Sequence, residues 1–146
     1  MPILNYTTKV DSYKTIGEIQ KILAAAGAKK VIIDNDDENR PAGLSFSLVG
    51  SDNIMYLYKL PCNFVGILNA MRNNKKVPRH MCSKDQALRV GWRILKDWVA
   101  SQTAIVEADL AAMQQIFLPY AVTKDGITLY EYVNDKKNSN LLLQQG

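Results

Sequence analysis

The stretch SKDQALRVGWRILKDWVASQTAIVEADLAAMQQIF, Ser83 to Phe117, organises the reading of this chain. Ser83 and Gln86 have the spacing of a capping box, in which each side chain satisfies a free backbone N–H at a helix entrance. Apolar residues follow at Leu88, Trp92, Leu95, Val99, Val106, Leu110, Met113 and Phe117. Those steps trace one stripe down a 3.6-residue helix. A second stripe, Ile94, Trp98, Ile105 and Ile116, runs beside it. The pattern predicts a single helix from near Lys84 to Phe117, stopped by Leu118–Pro119.

Such a helix would be ~50 Å long, whereas a compact domain of this size has a radius of gyration of ~15 Å. Either it breaks near Ala100–Gln102–Thr103, where the pattern turns polar, or its stripe packs on the same helix of a second subunit. Two-fold dimers are the commonest soluble assembly, and the dimer is the favoured reading.

Working outward, the N-terminal half reads as sheet and short helices. Ile3 to Val10 alternates and suggests a first, edge strand. Thr15 with Glu18 is a second capping box; Ile16, Ile19, Ile22, Leu23 and Ala26 form an apolar face, and Gly27 stands at a left-handed C-cap. Val31-Ile32-Ile33, then Leu44 to Val49, then Ile54 to Leu60 have strand patterns separated by turn residues and predict an antiparallel meander. Asn63 caps a second short helix through Met71. Residues 127–133 fit a strand or a helix equally. The expected fold is α+β, one domain over residues 1–133, with one or two long C-terminal helices mediating dimerisation and a flexible or partner-docked tail over 134–146.

At 146 residues the chain is long enough to bury one core without staples. No apolar run approaches the ~20 residues of a membrane span, and Met-Pro-Ile-Leu-Asn-Tyr is not a secretory start. The expectation is a cytoplasmic protein with no membrane partner. Cys62 and Cys82 then read as reduced, buried thiols. Neither His80-x-Cys82 nor the acidic turn Asp34, Asp36, Asp37, Glu38 has the spacing of a zinc or calcium site, so no metal and no cofactor are expected.

The net charge of +4 is modest, but its placement is uneven. Arg72, Lys75, Lys76, Arg79, Lys84, Arg89, Arg93 and Lys96 face one acid between them in sequence, Asp85. That is where an anion would go. No phosphate loop appears, and the single histidine, His80, has no orienting acid beside it. Binding is expected rather than catalysis.

Arg89 and Arg93, one helical turn apart, are candidates to present paired N–H donors to a diphosphate. Phe64 could stack on a base and Asn74 could read its edge, with Arg79 and His80 in the entering loop.

On Phe64, Asn74, Arg89 and Arg93 the chain resembles the Thoeris anti-defence family of signalling-nucleotide sponges carried by phages and prophages. The resemblance spans Phe64 to Arg93. It implies a dimer or larger homo-oligomer in the bacterial cytoplasm that sequesters a cyclic nucleotide immune signal, a cyclic ADP-ribose isomer or cyclic oligonucleotide, without cleaving it. The alternative is an anti-CRISPR or anti-restriction protein that uses the same basic face against nucleic acid or a host defence protein.

Overall fold

The computed structural model describes residues 3–145. Its elements run α1 (Ser12–Ala25), β1 (Lys30–Asn35), β2 (Pro41–Val49), β3 (Met55–Lys59), α2 (Phe64–Arg72), α3 (Lys84–Glu107), α4 (Met113–Phe117) and α5 (Leu129–Asn134). Short 3-10 turns lie at Arg79–Met81, Leu118–Tyr120 and Ser139–Leu141. The fold is α+β, and the strands form an antiparallel meander in the order β1-β2-β3. No helix among the described residues is long and apolar enough to cross a membrane.

Leu44, Phe46 and Leu48 of β2 are buried on one face of the sheet with Ile16, Ile19 and Leu23 of α1 and Leu88, Trp92, Leu95 and Val99 of α3. Phe46 is the hub. It stacks on Tyr58 of β3 at 5.4 Å between ring centroids and meets the edge of Phe117 at 5.2 Å. Trp92 is fully buried, and its indole Nε1–H donates to the Pro41 carbonyl at 3.1 Å. The α3 stripe from Leu88 to Val99 is thus buried inside the protomer, whereas Ile105 and Leu110, further along the predicted stripes, are exposed.

The long helix is also shorter than its periodicity predicts. It ends at Glu107, beyond the polar patch at residues 100–103. There Asp109 N–H donates to Val106 O at 3.0 Å and Leu110 N–H to Ile105 O at 3.1 Å. This is a Schellman motif, with Asp109 at φ 59° in the left-handed position. The stop is hidden in sequence because glycine usually fills that place. The apolar period resumes only because α4 returns Met113 and Phe117 to the same core.

The N-terminal segment is not a strand. Residues 4–7 form a turn in which Asn5 has φ 64° and its carbonyl accepts from Thr8 N–H at 3.0 Å. Gln86 Nε2 donates to both Tyr6 O and Thr8 O at 2.9 Å, so a side-chain amide holds this segment in place of a sheet ladder. The second half of the Ser83 box is lost accordingly: Ser83 Oγ accepts from Gln86 N–H at 3.1 Å, but the Gln86 side chain is engaged elsewhere. In α1 the cap is Asp11, whose carboxylate accepts from Tyr13 N–H at 3.0 Å. Thr15 is buried inside the helix and Glu18 is released for another task. Gly27 has φ 108°, the left-handed conformation expected of it.

Residues 129–134 are helical, entered through a capping box in which Thr128 Oγ1 accepts from Glu131 N–H and Thr128 N–H donates to Glu131 Oε1, each at 3.2 Å. The last described residues carry Leu141, Leu142 and Leu143 exposed.

Gly91 sets how closely α2 approaches α3. A Cβ built there would collide with the Phe64 ring and lie 2.8 Å from Ile67 Cδ1. Gly91→Ala is therefore expected to destabilise the protein by about 1–3 kcal/mol, whereas Gly17→Ala, which meets nothing within 4 Å in α1, should stabilise it by about 0.5–1 kcal/mol. Thermal or urea denaturation of the two variants checks the contrast; equal behaviour would remove the packing argument.

Candidate functional site

The six residues singled out from sequence do not meet in one cleft. Phe64 lies on Gly91 and tilts against Trp92 at 5.3 Å between ring centroids, on the α2 side of α3. Arg89 and Arg93 are each two residues from Gly91, which at 3.6 residues per turn places them about 160° around the helix from it. The aromatic and the arginine pair thus face opposite ways. Asn74 shapes its own loop: its side-chain oxygen accepts from Lys76 N–H at 2.9 Å, and its carbonyl accepts from Val77 N–H at 3.1 Å.

The arginine pair is itself divided. Arg93 Nη1 lies 2.7 Å from Glu18 Oε2 in a half-buried ion pair with α1. Arg89 Nε donates to Gln86 Oε1 at 2.9 Å. The pocket beside Arg89, about 150 Å³, sets two carboxylates, Asp11 and Asp85, against two guanidinium groups, Arg40 and Arg89, so its lining carries no surplus of positive charge.

A second unforeseen feature is the reach of the acidic turn. Read from sequence it is a solvated loop, and Asp36 does stitch it, accepting from Glu38 N–H at 2.9 Å and Arg40 N–H at 2.8 Å. But the turn folds onto the start of α3. Glu38 Oε1 accepts from Lys84 Nζ at 2.9 Å, and Arg40 Nε lies 2.9 Å from Asp85 Oδ1. Arg40 Nη1, a buried atom, approaches Glu38 Oε2 to 2.8 Å without hydrogen-bond alignment. The Lys84 hydrogen bond, helped by the Arg40 charge, holds the Glu38 carboxyl below the usual carboxylate range. A depressed carboxyl adds stability above its unfolded value and loses it as pH falls through the folded one, so this contact weakens below about pH 4.5.

What remains is the loop between α2 and α3. Arg72, Lys75, Lys76, Arg79 and His80 are exposed. The ion pairs found among the described residues engage Arg40, Lys84 and Arg93, and none engages these cations. Arg72 closes α2 and Arg79 opens the 3-10 turn, so the loop between them folds both guanidinium groups onto one cleft of about 360 Å³, shared with Val77 and Cys82. Buried Val77, packed with Leu68, Met71, Ala87 and Val90, pins the loop from below. Arg72, Lys75 and Lys76 stand out in sequence only as members of the basic run; in the fold they are exposed together with Arg79 on one short loop and its flanking turns.

A separate cleft of about 250 Å³ opens beside Phe64, floored by Leu68, Ala87 and Leu88 and edged by Asp36, Arg40 and Lys84. Its cations are the ones matched by Glu38 and Asp85. Cys62 lines it, and burial pushes this thiol up to about 11. Cys62 and Cys82 are both free thiols, and among the described residues no three His, Cys, Asp or Glu side chains group in a way that could hold a metal ion.

Comparison of the chain with protein-family models, with curated proteins and with solved structures finds no match.

The raised Cys62 value has a direct readout. Alkylation of the native protein at pH 8 is expected to leave Cys62 slow, its rate rising about tenfold per pH unit until about pH 11, because only the thiolate reacts. Peptide mapping checks it. Rapid Cys62 labelling at pH 8 would show that the thiol is not held protonated by burial.

Proposed function

We propose that this is a non-catalytic binding protein that grips an anionic partner through the loop formed by residues 72–80, and that a nucleic-acid backbone is the partner it suits best. The observation that carries this reading is the set of four exposed cations, Arg72, Lys75, Lys76 and Arg79, outside the ion pairs found among the described residues. A row of such charges releases counterions from a phosphate chain and needs no convergent geometry. Under this reading the protein acts as an antagonist of the anti-CRISPR or anti-restriction kind, covering nucleic acid or a comparably acidic surface.

A second reading keeps the cyclic-nucleotide sponge and moves its site. The cleft between Arg72 and Arg79 is within the size range of small-ligand pockets. Two guanidinium forks there suit the diphosphate of a cyclic ADP-ribose isomer better than Arg89 and Arg93, which face Gln86 and Glu18.

Fluorescence anisotropy with duplex DNA or RNA across about 50 to 200 mM salt separates the two. Four neutralised phosphates give a log–log slope of about −3.6, roughly a hundredfold loss over that range. Each of Arg72→Ala and Arg79→Ala should flatten the slope by about one, and Arg89→Ala should leave it unchanged. Absence of nucleic-acid binding, with calorimetric heat from a cyclic nucleotide that Arg72→Ala/Arg79→Ala abolishes, would favour the sponge; silence with both would remove both readings.

A further inference from the structure

The two edges of the sheet are treated differently. The outer edge of β3 is partly covered: Ala121 bridges Tyr58, and Val122 N–H donates to Leu57 O at 2.8 Å. The outer edge of β1 is bare, because among the described residues its backbone bonds only with β2. Bare edges invite another strand unless charge, proline or a bulge forbids it.

In β1 the charges do not forbid it. Lys30 and Asp34 stand two residues to either side of Ile32 and share its face. Both are exposed, and neither takes part in an ion pair found among the described residues. Ile32 between them is 45% exposed. On the other face Val31 and Ile33 lie only partly buried at the margin of the core. A register shift after Asp34 ends the regular part of the strand there.

We propose that two copies of this chain associate through β1, antiparallel, with Ile32 opposite Ile32 of the partner subunit on the two-fold axis. In that register Lys30 faces Asp34 of the partner subunit, and the contact occurs twice. Val31 meets the partner's Ile33 on the core side, so both faces of the join are apolar at the centre. The six strands become one sheet. A parallel arrangement in register would set Lys30 against Lys30 and Asp34 against Asp34, which repel. The occupant is a second copy because the strand is complementary to itself: each copy supplies both charges at the matching spacing. The pairing is short, below the size of standard interfaces, so the dimer belongs in the range of about micromolar to millimolar dissociation constants. It is independent of the anion-binding reading.

Sedimentation velocity from about 1 μM to about 1 mM is the test. The chain is expected to pass from monomer to dimer. Lys30→Asp and Asp34→Lys should each weaken the dimer roughly tenfold or more, since each turns two attractive pairs into two repulsive ones. The double swap should restore it. Both sites are exposed, so the fold is expected to survive, and amide hydrogen exchange gives an independent check on the unmutated chain: protection of β1 should rise with concentration. A monomer throughout the range, a dimer indifferent to all three variants, a double swap no better than the single ones, or β1 amides indifferent to concentration would each overturn the proposal.

Discussion

The seating of Trp92 is the constraint from which the rest follows. Its ring fills the centre of the core, its N–H is satisfied by the Pro41 carbonyl at 3.1 Å, and the neighbouring residue is a glycine on which Phe64 rests. A buried indole with an unpaired N–H would cost free energy, so the bond to Pro41 fixes where β2 begins relative to α3. With α3 locked to the sheet on one side and α2 brought close on the other, the remaining face of the helix is left for α1. Arg93 and Glu18 meet there.

Electrostatics inherits that geometry. Because β2 starts beside α3, the turn that precedes it is carried to the entrance of the helix, and Glu38 and Asp85 take up Lys84 and Arg40. The acidic turn and the basic run, well apart in sequence, thus partly cancel. Their cancellation is spatially selective. It does not extend to Arg72, Lys75, Lys76 and Arg79, which take no part in the ion pairs found among the described residues. Exposed pairs of this kind add little to stability; their effect is on which cations stay available to a partner.

The two sheet edges show the same economy. The chain after α4 lays residues 121–122 along β3, whereas among the described residues no backbone bonds to the outer edge of β1. The apolar stripe is buried internally from Leu88 to Val99 along α3 and exposed at Leu110 beyond it.

Much of the fold was legible in advance. The meander of β1 to β3, the Gly27 terminus, the Asn63 cap and the Ser83 start all rest on local rules, periods of two or 3.6 and side chains that bond their own backbone, and such rules act over a few residues. The Asp109 stop is local and was hidden because a non-glycine residue takes the left-handed position. The other misreadings share one cause: Gln86 diverted to Tyr6 and Thr8, and Glu18 diverted to Arg93, are choices between a local partner and one far along the chain. Sequence offers the local partner, and packing supplies the distant one. The candidate site illustrates it: residue types and spacing marked a basic region, but whether an arginine is available depends on which carboxylate the fold brings to it, a distance that no spacing along the chain encodes.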